Sequence, residues 1–74
     1  MAEATFTAPD ISCDHCRRTI EREVGSMTGV HNVSVDIAVK NVFVSFDPQQ
    51  ISSEAIVSRL EDEGYPVAST TSQP

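Results

Sequence analysis

The sequence contains very few cysteines. Its 74 residues include two, Cys13 and Cys16, which are three positions apart. Two cysteines cannot build the disulfide framework of a small secreted protein, and a bridge across so short a loop would restrain the unfolded chain very little. The pair is therefore better explained by metal binding or redox chemistry.

Positive charges and long apolar runs are scarce as well. Five Lys and Arg residues stand against eleven Asp and Glu, which gives a net charge of −6. Nucleic acid and anionic lipid are bound by basic surfaces, so neither is expected as the main partner, and we predict no membrane association. Residues 1–6 lack the basic segment and apolar run of a signal peptide, and no stretch is long enough to span a membrane. We expect a cytoplasmic protein whose thiols stay reduced.

The remaining composition is enough for one folded domain. The chain is 39% hydrophobic, and its length allows a single domain at most. We place that domain at residues 1–68 and expect the polar residues 69–74 to form a disordered tail.

Alternating apolar residues predict the strands of this domain. The alternation covers residues 4–8, 33–37 and 42–46, and the last two segments are close enough to form a hairpin. A final short strand is predicted at residues 65–68. Phe43 falls on the opposite strand face from its apolar neighbours, so we expect its side chain to be exposed.

Apolar residues at helical spacing predict two helices. The first covers residues 15–24, with Ser12 or Asp14 as its N-cap and Gly25 as its C-cap. The second begins after Ser52 as N-cap and ends at Gly64. The element order is strand, helix, strand, strand, helix, strand, which predicts an α+β fold of the ferredoxin-like βαββαβ type. In this fold two helices cover one face of a four-stranded antiparallel sheet.

The two cysteines are placed to bind one soft metal ion. Cys13 is expected on the loop before the first helix and Cys16 in its first turn, where the helix N-terminus favours thiolate over thiol. Arg17 and Arg18 add positive charge nearby. Two thiolates suit Cu(I) better than hard cations, whereas a structural zinc site takes four ligands. A thioredoxin-like redox pair is the alternative, although the chain is short for that fold and its element order differs.

Residues 10–16, Asp-Ile-Ser-Cys-Asp-His-Cys, resemble the metal-binding loop of the heavy-metal-associated domain family. The resemblance covers nearly the whole chain. Further residues of the same kind as in the bacterial copper chaperones of this family are Gly25, Gly29, Val30, Val33, Val35, Asp36, Val42, Val44, Phe46, Asp47, Glu63, Gly64 and Tyr65.

The resemblance implies a copper chaperone and not an enzyme. Such a protein binds Cu(I) through both cysteines, here Cys13 and Cys16, and delivers it to the metal-binding domain of a copper-transporting P-type ATPase. An N-terminal metal-binding domain of such an ATPase is the alternative, and the start at Met1 and the polar tail favour a free-standing protein. A thiol-disulfide redox module is the third reading.

Four other residues are candidates for roles around the metal. The family's usual Gly-Met is replaced by Asp10-Ile11, and we expect Ile11 to serve as the apolar anchor of the loop. Ser12 stands where zinc-exporting relatives often carry an Asp ligand, which argues against zinc as the bound metal. Tyr65 resembles an aromatic residue that shields the site or touches a thiolate. His15 is a candidate secondary copper ligand in a copper-promoted homodimer.

Overall fold

The computed structural model describes residues 2–73, with side chains as far as Thr71, and has six elements in the predicted order. They are β1 (Ala2–Thr7), α1 (Asp14–Gly25), β2 (Val30–Asp36), β3 (Asn41–Phe46), α2 (Ser53–Asp62) and β4 (Ser69–Gln73). The strands form one antiparallel sheet in the order β2-β3-β1-β4. The predicted ferredoxin-like arrangement is confirmed.

One face of the sheet carries the core. Ala4 pairs with Val44, and Phe6 pairs with Val42, so alternate residues of β1 and β3 point to the same side. All four are buried together with the apolar stripes of both helices, which are Ile20 and Val24 of α1 and Ile56 and Leu60 of α2. Phe43 lies on the other face and is 41% exposed, as its position in the alternation predicts.

The first helix differs from the prediction at both ends. It begins at Asp14 because Cys13 is the N-cap, so the prediction of Ser12 or Asp14 as the N-cap is wrong. Cys13 has an extended backbone, its side chain makes no capping hydrogen bond, and its carbonyl accepts from the Arg17 N–H at 3.3 Å. The predicted C-cap Gly25 is the last helical residue, and Ser26 is the cap. The helix is therefore one residue longer at each end.

The second helix begins as predicted. The Ser52 side chain accepts a hydrogen bond from the Ala55 N–H at 3.2 Å and so satisfies one of the free donors at the helix start. Among residues 2–73, no helix combines the length and the apolar character that crossing a membrane requires.

The predicted last strand and tail are wrong. Residues 65–68 connect α2 to the sheet, and the strand is Ser69–Gln73, which pairs with β1 from Thr7↔Ser69 to Glu3↔Gln73. The Ala68 N–H donates to the Thr7 carbonyl at 2.7 Å where this pairing begins. A polar edge strand buries no alternating apolar side chains, so its sequence carries no strand pattern. Residues 69–73 belong to the sheet, and Pro74 lies outside the described residues.

Gly29 allows the turn between α1 and β2 to pass close to the start of α2. Its φ is +94°, and an added Cβ would lie 2.8 Å from the Cβ of Gln50 and 3.0 Å from the Cγ2 of Ile51. The first distance is shorter than real Cβ contacts and the second would require Ile51 to shift, so the substitution combines backbone strain with overpacking.

We predict that Gly29→Ala destabilises the protein by about 2 kcal/mol or more, measured as the free energy of unfolding in urea. Gly25→Ala is the matched control. Gly25 is helical and an added Cβ would meet no atom within 4 Å, so alanine is expected to be neutral or stabilising there. Equal losses in both variants would contradict the packing argument.

Candidate metal centre

Cys13 and Cys16 lie together where the loop after β1 enters α1. Cys13 is the exposed N-cap, and Cys16 is half-buried in the first turn, packed against the edge of the core. Both are free thiols, and their Sγ atoms are 3.8 Å apart. The two sulfur atoms are close enough for one soft metal ion to contact both.

The thiol of Cys16 is more acidic than an ordinary cysteine thiol. Its pKa is lowered from 9.0 to about 7, first because the Tyr65 hydroxyl donates to its sulfur and then because the Ser12 backbone N–H does. Partial burial opposes this shift, while Cys13 adds smaller hydrogen-bonding contributions. Near neutral pH a large share of Cys16 is therefore thiolate, the form that binds metals.

Tyr65 is the hydrogen-bond partner that lowers the pKa of Cys16 most. Beside a thiolate the phenol is hard to ionise, so its hydrogen bond with Cys16 and its partial burial raise the pKa of Tyr65 to about 12. The hydroxyl therefore keeps its proton over the whole range in which Cys16 titrates. Tyr65 remains a donor, and Cys16 is the acceptor.

Tyr65 reaches the site because of the way α2 ends. The Tyr65 N–H donates to the Leu60 carbonyl at 2.9 Å, and the Gly64 N–H donates to the Glu61 carbonyl at 3.1 Å. Gly64 has a φ of +90°, so these bonds form a Schellman motif with glycine at its left-handed position. The motif turns the chain back and brings the residue after Gly64 to the metal loop.

Ile11 anchors the loop that precedes Cys13. Its side chain is fully buried, so the apolar residue at this position is a core residue. Its N–H donates to the Ala8 carbonyl at 3.1 Å, and its own carbonyl accepts from the Lys40 Nζ at 2.6 Å. No sequence pattern connects Lys40 with the site, because periodicity does not reveal a bond between a turn and a distant loop.

The remaining predicted residues lie around the cysteines. Ser12 and His15 are both exposed, and Ser12 contributes its backbone N–H to Cys16. Arg17 does not act as a free positive charge. It lies 3.5 Å from Asp14 and 3.3 Å from Glu21, so these two carboxylates compensate part of its positive charge.

The candidate donors at this site are the two cysteine sulfur atoms. In the part of the chain that the structure describes, no group of three or more His, Cys, Asp or Glu side chains is arranged to hold a metal ion. A two-thiolate set matches the preference of soft Cu(I) for sulfur ligands.

Removing the Tyr65 hydroxyl should raise the pKa of Cys16. In Tyr65→Phe the largest acidifying contribution is lost, so the pKa moves from about 7 back toward 9.0. The rate of Cys16 alkylation against pH measures this shift, and at pH 7 the variant should react more slowly than the wild type.

The same shift has a consequence for stability. Because folding lowers the pKa of Cys16, its contribution is complete above pH 9.0 and is lost as the pH falls through about 7. The free energy of unfolding should therefore rise more steeply between these values in the wild type than in Tyr65→Phe. If Cys16 alkylation has the same pH dependence in the wild type and in Tyr65→Phe, Tyr65 does not control the pKa of this thiol.

The sequence of this chain is similar to those of known proteins. The heavy-metal-associated domain family matches residues 5–66. The copper chaperone CopZ of Bacillus subtilis is 38% identical over 68 residues, which cover 92% of this chain and 99% of that protein. A copper-transporting ATPase of Helicobacter felis is 34% identical over 74 residues, which are 100% of this chain and 10% of the transporter.

The solved structures agree with the fold. The N-terminal domain of a potential copper-translocating P-type ATPase from Bacillus subtilis, determined in the Cu(I)-loaded state, superposes with a TM-score of 0.83 at 26% identity. The match covers 90% of this chain and 85% of that domain.

Proposed function

This chain belongs to the heavy-metal-associated domain family, and on that premise we propose that it is a copper chaperone. Its cargo is Cu(I), carried between the thiolates of Cys13 and Cys16. Its recipient is the metal-binding domain of a copper-transporting P-type ATPase. Delivery takes place in the cytoplasm, where thiols are kept reduced.

The observation that carries this proposal is the pair of sulfur atoms 3.8 Å apart at the exposed end of the fold. Two thiolates complete a low-coordinate Cu(I) site without further protein ligands. Because Cys13 is exposed, the sulfur atom of another protein can approach the ion while it is still bound. The relatives support the same cargo, since one is named a copper chaperone and another a copper-transporting ATPase.

The mechanism that follows is stepwise exchange of ligands. An incoming thiolate adds to copper, the ion becomes three-coordinate, and one of the two original sulfur atoms then leaves. Tyr65 stays protonated and donates to Cys16, so it stabilises negative charge on that sulfur atom throughout the exchange. The acidic overall charge of −6 favours a recipient domain with a basic docking surface.

Transfer to a purified recipient domain tests the proposal. The chain is loaded with Cu(I), mixed with the metal-binding domain of a copper-transporting ATPase, and separated from it by ion exchange. We expect copper to partition between the two proteins within the mixing time, and the Cys13→Ala plus Cys16→Ala variant to deliver none. Copper that stays on the loaded chain at equilibrium with excess recipient would contradict the chaperone role.

Copper should also promote dimers of the chain. An ion bound at exposed Cys13 leaves room for the thiolates of a second copy, and His15 is the nearest candidate for an additional ligand. Sedimentation of apo and Cu(I)-loaded protein should show a monomer becoming a dimer. A monomer at every copper ratio would contradict this, and an unchanged dimer in His15→Ala would exclude His15 as a ligand.

A metal-binding domain of a longer transporter is the second candidate. All 74 residues of this chain match a segment that makes up 10% of the Helicobacter felis transporter, and this match supports the second role. The length of the natural gene product distinguishes the two roles. The metal chemistry at Cys13 and Cys16 is the same in both.

A further inference from the structure

Lys40 connects the turn between β2 and β3 to the loop that carries Cys13. The Ala8 N–H donates to the Lys40 carbonyl at 2.9 Å, and the Lys40 Nζ donates to the Ile11 carbonyl at 2.6 Å. These two bonds attach both ends of the segment from Ala8 to Ile11 to the same residue. The segment cannot move away from the turn unless one of the bonds breaks.

The backbone conformation of Lys40 is one in which the turn by itself does not favour lysine. Its φ is 60°, a left-handed conformation that glycine and asparagine adopt with less strain than lysine. A residue held in such a conformation persists when its contacts over-determine it, and these residues cluster at functional sites. Lys40 is also the only lysine in the sequence.

The bond to Ile11 has the properties of a fixed attachment. The Lys40 side chain is half-buried, and its ammonium donates a charge-assisted hydrogen bond, which is stronger than a neutral one. Ile11 is then held at three points: its buried side chain, its N–H and its carbonyl. Cys13 follows two residues later and is exposed, so its backbone extends directly from this attachment.

We propose that Lys40 is a positioning residue of the metal site, acting through Ile11 to keep Cys13 beside Cys16. The proposal rests on the proposed function, in which both thiolates hold one Cu(I) ion. Without the ammonium, the segment before Cys13 opens more often and copper leaves its two-thiolate site faster. Lys40 touches neither the ion nor a ligand and sets the lifetime of the complex.

Lys40→Asn removes the ammonium group while keeping a residue that tolerates the left-handed backbone conformation. Asparagine tolerates a positive φ, so the turn is expected to form, but its side chain is too short to reach the Ile11 carbonyl. Lys40→Arg keeps a long cationic donor and serves as the conservative variant. Arg59→Gln removes one positive charge from a side chain that pairs with Glu23 at 3.9 Å, and it is the charge-matched control.

Two rates are measured for each variant. The first is amide hydrogen exchange at Ile11 in the apo protein, with Val44 of the core sheet as an internal reference. The second is the rate at which a Cu(I) chelator removes copper from the loaded protein. In Lys40→Asn we expect Ile11 exchange and copper loss to be about five- to tenfold faster, with Val44 unchanged. Lys40→Arg and Arg59→Gln should resemble the wild type.

Three results would overturn the proposal. They are wild-type rates in Lys40→Asn, equal acceleration in Lys40→Asn and Lys40→Arg, or faster exchange at Val44 to the same degree as at Ile11. The second would show that a long cationic donor at position 40 does not hold the loop, and the third would assign the effect to global instability. If Lys40→Asn does not fold, Lys40→Gly provides the same comparison, since glycine also suits the positive φ.

The hydrogen-exchange measurement also separates this proposal from the proposed function. It needs no copper, so it reports the attachment of the loop by itself. If Ile11 exchange is faster in Lys40→Asn but the wild type binds no copper, the chaperone role is refuted and Lys40 is an anchor of the loop only. If the wild type binds copper but Ile11 exchange in Lys40→Asn is as slow as in the wild type, only the role of Lys40 is refuted.

Discussion

Replacing both Cys13 and Cys16 by alanine should abolish tight Cu(I) binding. The two thiolates are the sulfur donors at the exposed end of the fold, and their Sγ atoms lie 3.8 Å apart. With both removed, copper retains only weaker nitrogen, oxygen and thioether ligands, so we expect the affinity to fall at least about a thousandfold. Competition with a Cu(I) chelator of known affinity measures the loss.

The fold should survive this substitution. Cys13 is exposed and Cys16 is half-buried at the edge of the core, so circular dichroism of the double variant should match that of the wild type. His15→Ala plus His31→Ala is the control, because it removes both histidines and leaves the thiolates. Tight copper binding that persists in the double-cysteine variant would place the site elsewhere.

The order in which the two ligands release copper is the second large effect. Cys13 is exposed on the loop, whereas Cys16 is half-buried in the first helical turn beside Tyr65. The packing of Ile20 and Val24 fixes that helix, so Cys16 moves less than Cys13. An incoming thiolate should therefore reach copper on the Cys13 side and form its first bond between the proteins there.

Trapping of mixed complexes tests this order. With a recipient domain and Cu(I), Cys16→Ala should still capture copper between the two proteins, and Cys13→Ala should do so poorly. The low pKa of Cys16 acts in the opposite direction, because it makes Cys16 the better thiolate at neutral pH. Equal trapping by both variants, or trapping by Cys13→Ala alone, would contradict this order of exchange.

Most of the fold could be predicted because most helices and strands bury only one side, which leaves a periodic pattern of apolar residues in the sequence. The alternation of Val42, Val44 and Phe46 gave β3, since those side chains enter the core and Phe43 does not. The last strand had no such signal. Ser69–Gln73 joins the sheet through backbone pairing at its edge, and Thr70 and Thr71 are both exposed, so neither face shows an apolar pattern.

The site could be predicted to the extent that its residues are close in sequence. The spacing of Cys13 and Cys16 indicates a shared ion, because a helical turn brings positions three apart together. Tyr65 was found through the family resemblance, since no local pattern connects it to residue 16. Lys40 was missed altogether. Its bond to Ile11 joins residues 29 positions apart, and such a contact follows only from the packed structure.

The central claim is that Cys13 and Cys16 form a two-thiolate site selective for Cu(I). Native mass spectrometry of the reduced chain, mixed with equal amounts of Cu(I) and Zn(II), tests it most directly. Two sulfur donors suit Cu(I), whereas zinc in proteins takes four ligands when its site is closed. The account predicts that the chain retains copper and excludes zinc, and that the double-cysteine variant retains neither. Zinc retained in the presence of Cu(I), or copper retained without the two cysteines, would contradict it.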